Sequence, residues 1–204
     1  IARHTPDGAR MTVTDVTSGW AVLGVFGPEA RNIVAPLTDA DLSNEAFPFG
    51  TLQEIDLGYA RSIAVRRTYM GELGWELYVP TEFALGAFDA LWESGAPQGL
   101  TPAGYHAMNS LRMEKAYRHW GDDIAEEDTP LHAGLSWGVA FDKPGGFIGH
   151  DALVAQREAG VDRRLVQFRL DDPEPLLYHD EPVYRDGVLV SRITSGMYGH
   201  TVGG

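Results

Sequence analysis

The run Arg67-Thr68-Tyr69-Met70-Gly71-Glu72-Leu73-Gly74-Trp75-Glu76-Leu77 decides how this chain is read. An extended apolar stretch, 62–68, precedes it, and 75–79 reads as a strand after it. Gly71 and Gly74 allow the tight turn between them, or a close approach of backbone to a ligand. An antiparallel return would bring Tyr69 and Glu76 towards one another. Tyr69 offers a ring to pack on a flat heterocycle and a hydroxyl to bond. Glu76, on a half-buried strand, can accept two parallel hydrogen bonds from a ring N–H and its exocyclic amine. On spacing alone the plainer reading, a β-turn with one structural Tyr and one solvated Glu, is the favoured one.

Working outward, 20–26 is a buried apolar run, and Thr17-Ser18-Gly19 is a turn joining it to an alternating strand over 10–16. Gly27-Pro28-Glu29-Ala30 opens a short helix, with proline where its missing N–H costs nothing and Glu29 at the positive end. Residues 38–50 read as a loop and 55–57 as extended. Thr81 is a candidate cap for a helix whose Phe83, Phe88, Leu91 and Trp92 share a broad core face. A second helix starts at Thr101-Pro102, repeats Ala103, Ala107 and Leu111, and ends near Glu114. Residues 119–150 are a long Gly-, Pro- and Asp-rich loop with a strand at 136–141. A third helix runs from Asp151 to near Gly160. All-β sequence follows, with a strand at 165–170 and a hairpin whose Asp186-Gly187 turn is a strong signal. The change near 163 divides a domain over 1–162 from the start of another over 163–204. Strands in pairs and helices in a block make the class α+β. No Gly-x-Gly-x-x-Gly follows a strand and there is no Walker motif, so a nucleotide-binding fold is not supported.

The 204 residues suit one large domain or one and a half ordinary ones, able to bury roughly 70% of their unfolded surface without a staple. With 44% hydrophobic and 22% charged residues the composition is globular. The absence of cysteine removes disulfides, thiolate nucleophiles and Cys-ligated metals. A formal charge of -13 disfavours nucleic acid and anionic membranes as partners. No apolar run approaches the ~20 residues of a membrane span. Both ends read as cut: Ile1-Ala2-Arg3-His4 carries no initiator Met or signal peptide, and Val202-Gly203-Gly204 stops just after a hairpin.

Tyr-Met-Gly-Glu-Leu-Gly-Trp-Glu, 69–76, resembles the Tyr-x-Gly-Glu-x-Gly-(aromatic)-Glu motif of the glycine-cleavage T-protein (aminomethyltransferase) superfamily. Further segments agree in order over essentially the whole chain. They are Phe26-Gly27-Pro28-Glu29-Ala30, Leu111-Arg112-Met113-Glu114-Lys115, Gly121-Asp122-Asp123, the run 129–135, Phe147-Ile148-Gly149 and Thr194-Ser195-Gly196. Each is weak alone, and the shared order is specific. The wording of 47–50, 116–121 and 142–147 is most similar to the C-terminal half of dimethylglycine or sarcosine dehydrogenases and oxidases.

That resemblance implies a folate-binding domain of antiparallel sheets and flanking helices, followed by the start of a C-terminal β-barrel. It implies tetrahydrofolate as cofactor and an amine-derived one-carbon unit as substrate, with FAD only in an N-terminal domain outside this chain. That FAD domain oxidises the amine to an iminium, and the folate domain captures the carbon as 5,10-methylene-tetrahydrofolate. It implies a cytoplasmic or organelle-matrix setting. Tyr69 and Glu76 match the family's folate-contacting Tyr and Glu, the latter suited to the donor pair of a pterin edge. Arg112 matches a motif Arg near the site, expected to pair with Glu114 or the folate glutamate, or equally to make a structural ion pair. Arg66, Arg67, Lys115 and Arg118 are candidates to attract the anionic folate tail, or a solvated basic fringe. The family's key Asp falls before Ile1 by this alignment, and Asp7, in a Pro-Asp-Gly turn, is no substitute. The fragment is therefore expected not to catalyse transfer alone.

Other constellations carry less. His106, His119 and His132 lack ligand spacing, so no metal is expected. Ser195 is not in a nucleophile elbow. Two rival functions stand beside the flavin-dependent reading: a stand-alone aminomethyltransferase served by a lipoyl carrier, and a non-catalytic folate-sensing or structural module.

Overall fold

The structure, a computed structural model, describes residues 5–204. The segment 1–4 that opens the chain lies outside the described residues. The chain forms two compact units, one of residues 1–68 and 72–102, the other of 69–71 and 103–204. Together they contain antiparallel sheets with flanking helices, the α+β class read from the sequence.

In the first unit, β1 (Trp20–Phe26), β2 (Leu52–Leu57), β3 (Ala60–Val65) and β4 (Gly74–Pro80) form one antiparallel sheet in the order β1-β4-β3-β2. Successive side chains alternate between faces. Trp75, Leu77 and Val79 therefore point into the core from β4, with Ile55 and Leu57 from β2 and Ala60 and Ala64 from β3. The helices α1 (Ala30–Val34) and α2 (Ala84–Gly95) supply Ile33, Val34, Ala87 and Leu91 to the same cluster. Phe47, from the loop before β2, packs edge-on against Trp75 with ring centroids 6.1 Å apart. Fully burying such a ring is worth about 1.5–3 kcal/mol.

The glycine at 74 is required by packing. A Cβ there would sit 2.2 Å from the Val25 carbonyl oxygen, so β4 can join β1 only with a bare backbone. Ser94 Oγ donates to the Ile33 carbonyl at 2.7 Å and ties α2 to α1.

Three expectations are corrected in this unit. Residues 10–16 are exposed coil; β1 pairs with β4 alone among the described residues, so the alternating run finds no ladder. Thr81 does not cap α2; its hydroxyl donates to the Ser18 carbonyl at 2.8 Å, and the helix begins at Ala84 after a 3₁₀ turn. The buried stripe of α2 is Ala87, Leu91 and Gly95. Of the expected face Leu91 is buried, while Phe88 and Trp92 stack on each other at 6.4 Å and stay partly exposed.

In the second unit, α3 (Tyr105–Glu114) and α4 (His150–Ala159) are joined by turns, and β5 (Pro182–Arg185) pairs with β6 (Val188–Arg192) as a hairpin. Asp186 and Gly187 both take positive φ, as a two-residue hairpin turn demands. The helix expected from Thr101-Pro102 begins three residues later, after an extended Gly104. Its buried positions are Ser110 and Arg112 rather than the alanine stripe. The expected strand at 136–141 is a 3₁₀ turn at Ser136–Gly138. The expected strand at 165–170 has no ladder; it is held by single bonds such as Leu165 N–H to the His132 carbonyl, 2.8 Å.

Candidate functional site

Glu76 sits mid-strand in β4, opposite Gly24 of β1 and Val65 of β3, on the face turned away from Trp75 and Leu77. Its side chain is 23% exposed, so the carboxylate is partly desolvated yet reachable. Tyr78, two residues on and on the same face, donates its hydroxyl to Oε2 at 3.2 Å. Burial, then the Glu76 charge and this bond, push the Tyr78 hydroxyl above its ordinary range, so it stays a donor at neutral pH. The Arg67 Nε lies 3.9 Å from the same oxygen and is largely solvated. A carboxylate has two oxygens with about four acceptor sites, so these neighbours orient Glu76 without exhausting it.

Arg66 is committed elsewhere. It donates to the Phe47 carbonyl and, at 2.7 Å, to Asn44 Oδ1, with its guanidinium 5.7 Å from the Trp75 ring.

In the second unit, Tyr69 is half-buried. Its hydroxyl donates to the Arg118 carbonyl at 2.9 Å, and its ring lies nearly parallel to that of Tyr117, with centroids 6.2 Å apart. Burial pushes its hydroxyl pKa up. Gly71 takes φ +78, and a Cβ on it would run into the Lys115 side chain. Arg118 bonds the Ala133 carbonyl at 3.0 Å and the Ala116 carbonyl, so it too is spoken for, while Lys115 is exposed.

Arg112 is 3% exposed and its partner is Asp123, at 2.7 Å, with the Asp side chain 7% exposed. The guanidinium also donates to the Tyr117 carbonyl (3.0 Å), Ser195 Oγ (2.8 Å) and Asn109 Oδ1 (3.3 Å). The expected Arg112–Glu114 pair does not form. Residues two apart on a helix do not face each other, and Glu114 accepts from the Thr201 N–H at 2.7 Å instead. Asp123 also accepts from Thr194 Oγ1 (2.6 Å) and the His119 N–H (2.9 Å). Burial alone would raise its pKa. The bonds from Thr194, His119 and Ser195 and the Arg112 charge outweigh burial and hold it below the usual carboxylate range.

Asp123, Thr194 and Ser195 were visible only as parts of motif segments, with no sign that their side chains meet. The structural-pair reading of Arg112 named the interaction type but not the partner.

His119 contacts Asp122 through Nδ1 and the Tyr105 hydroxyl through Nε2 at 3.2 Å, and His132 contacts Gln156 through Nε2 at 3.0 Å and accepts the Thr129 N–H at Nδ1, 3.3 Å. Among the described residues no three His, Asp or Glu side chains group as a metal cage, and no helix is long and apolar enough to cross a membrane.

Comparison with known proteins places these residues in context. A family model described as the GCVT N-terminal domain matches residues 1–143, and one described as the glycine cleavage T-protein C-terminal barrel domain matches 163–204. The chain is 46% identical over 198 residues to 4-methylaminobutanoate oxidase (formaldehyde-forming) of Paenarthrobacter nicotinovorans, across 96% of this chain and 24% of that protein. It is 38% identical over 188 residues to human mitochondrial sarcosine dehydrogenase, across 92% of this chain and 20% of that one. It thus spans a quarter or less of these relatives. The crystal structure of the glycine cleavage system aminomethyltransferase T from Bartonella henselae superposes with a TM-score of 0.75 at 25% identity, over 88% of this chain and 48% of that one.

Proposed function

This chain belongs to the glycine cleavage T-protein family, and we propose that it is the tetrahydrofolate-binding, one-carbon-transfer region of a flavin-dependent enzyme of the dimethylglycine and sarcosine dehydrogenase kind. In this reading residues 1–162 are the folate-binding domain and 163–204 the start of the barrel. The carbon leaves as 5,10-methylene-tetrahydrofolate. FAD belongs to another domain of the same protein, and the compartment is the cytoplasm or an organelle matrix.

The observation that carries the reading is Glu76. It is a partly desolvated carboxylate on a rigid central strand, oriented by Tyr78 and left with acceptor capacity. That donor-accepting set fits a pterin edge, which presents two parallel N–H groups, and a charge-assisted pair of such bonds is strong. Tyr69 adds an aromatic face whose hydroxyl is already tied down. Arg67 and Lys115, the two candidate cations not committed to backbone carbonyls, remain to attract an anionic glutamate tail.

Tetrahydrofolate supplies the nucleophilic nitrogens when bound. What these residues contribute is placement. Glu76 is suited to a ring's edge and Tyr69 to a ring's face, each within its own unit, and positioning of this sort is worth several kcal/mol. The 46% identity to the oxidase, against 36% to an aminomethyltransferase of Listeria monocytogenes, supports the flavin-dependent reading over a stand-alone transferase.

The test is calorimetric titration of the full-length protein with 5-formyl-tetrahydrofolate, wild type against Glu76→Ala. Wild-type binding that weakens at least tenfold in the variant is the expected result. A folded wild type that does not bind sinks the folate reading and leaves a structural module.

A further inference from the structure

We infer that Arg112 and Asp123 are positioning residues for Tyr69, acting through the three-residue segment Tyr117-Arg118-His119 rather than by touching ligand. The inference rests on the reading above that Tyr69 packs on the folate ring.

The geometry is a bracket. Tyr69 has two contacts that set its orientation, the Arg118 carbonyl at 2.9 Å and the near-parallel ring of Tyr117. Both belong to the segment 117–119, which has no regular secondary structure to hold it. Arg112 Nη1 holds its first carbonyl, that of Tyr117, at 3.0 Å. Asp123 Oδ2 holds its last N–H, that of His119, at 2.9 Å. The two clamps are joined to each other at 2.7 Å. The carbonyl that receives Tyr69 lies between them.

The chain reaches this position through Ala116, at φ +54. That conformation is uncommon for a residue with a Cβ and needs support from its surroundings. The Tyr117 N–H returning to the Arg112 carbonyl at 3.0 Å supplies part of that support and turns the segment back over the end of α3.

The bracket also has a remote anchor. Thr194 Oγ1 donates to Asp123 Oδ1 at 2.6 Å, and Arg112 Nη2 donates to Ser195 Oγ at 2.8 Å. Each member of the pair thus spends one arm on the segment and another on the 194–195 turn. A guanidinium 3% exposed, with its donors used this way, has no free fork for a folate carboxylate. Displacement of the 194–195 turn would be felt at Tyr69 through the pair.

The experiment is a double-mutant cycle in the full-length protein. Binding of 5-formyl-tetrahydrofolate is measured for wild type, Asp123→Asn, Tyr69→Phe and the double variant. Folding is checked by thermal melting, and Arg112→Lys serves as the milder second probe. Asp123→Asn should weaken binding about tenfold when Tyr69 is present, as loss of one well-made bond would, and less than twofold in Tyr69→Phe. Equal weakening in both backgrounds, or none in either, overturns the inference.

A 19F spectrum of 3-fluorotyrosine placed at position 69 gives a readout that needs no folate. The resonance should move towards that of free fluorotyrosine in Asp123→Asn and partly so in Arg112→Lys. An unmoved resonance overturns the bracket itself. Failure of the wild type to bind folate, with a resonance that does move, overturns the folate reading and leaves the positioning intact.

Discussion

Along β4, Trp75, Leu77 and Val79 turn inward one after another and are each 0% exposed. In the second unit the core is made by Ser110, Arg112, Leu131 and Ala133, together with the Asp123 side chain paired to Arg112, and the best-connected of them carries a charge. Every other buried apolar side chain among the described residues belongs to the sheet unit. The two regions are therefore held by different physics. The sheet unit rests on non-directional burial of apolar area, which tolerates small errors of geometry. The second unit relies on bonds with fixed distances and angles among side chains far apart in the chain, where one lost partner strands another.

The difference predicts different responses to damage. Trp75→Ala should be the most harmful single change. It empties a fully buried site against Phe47 and should cost about 3–5 kcal/mol, read as a lower denaturation midpoint with an unchanged denaturant slope. A loss under ~1 kcal/mol would mean that the sheet unit is less dependent on its apolar core than its burial implies.

Acid should separate the units next. The Asp123 carboxyl is held below its unfolded value, near 3.9. Its contribution is therefore present above that value and is lost as pH falls through the folded pKa. Denaturation midpoints between pH 6 and pH 3 should fall less steeply in Asp123→Asn than in wild type. Identical slopes would remove Asp123 from the acid response.

The smallest effect should come from Arg61, which pairs with Glu54 at 3.1 Å and Asp56 at 3.4 Å on the exposed face of the sheet. All three side chains are more than 60% exposed. Arg61→Ala should leave the denaturation midpoint almost unchanged, and any shift should shrink further in high salt. A larger loss would show that directional bonds matter in the sheet unit too.

The sequence was easiest to read where its signal is local. The strands at 20–26 and 75–79, the Asp186-Gly187 hairpin and the helix beginning near Asp151 follow from period, turn chemistry and composition over a few residues. Three equally strand-like runs, at 10–16, 136–141 and 165–170, do not become strands, because a ladder needs a second chain segment alongside. The aromatic face of α2 misled for a related reason. Helical spacing shows which residues share a side, not which side meets the sheet, and there Ala87 and Leu91 fit closer than Phe88 and Trp92.

For the candidate site, Tyr69, Glu76 and Arg112 could be named from motif order alone. The sequence by itself determined the chemistry present at each position and the family that arranges it in this order. Only the tertiary structure decided what each group spends that chemistry on. Glu76 is left with open acceptor sites because its neighbours on the sheet are Gly24 and Val65, neither of which has a side-chain donor. Arg112 is used up because Asp123 and Ser195, 11 and 83 residues further on, converge on it. Such partners are chosen by distance in space, and residue types along a chain carry no record of that distance until it folds.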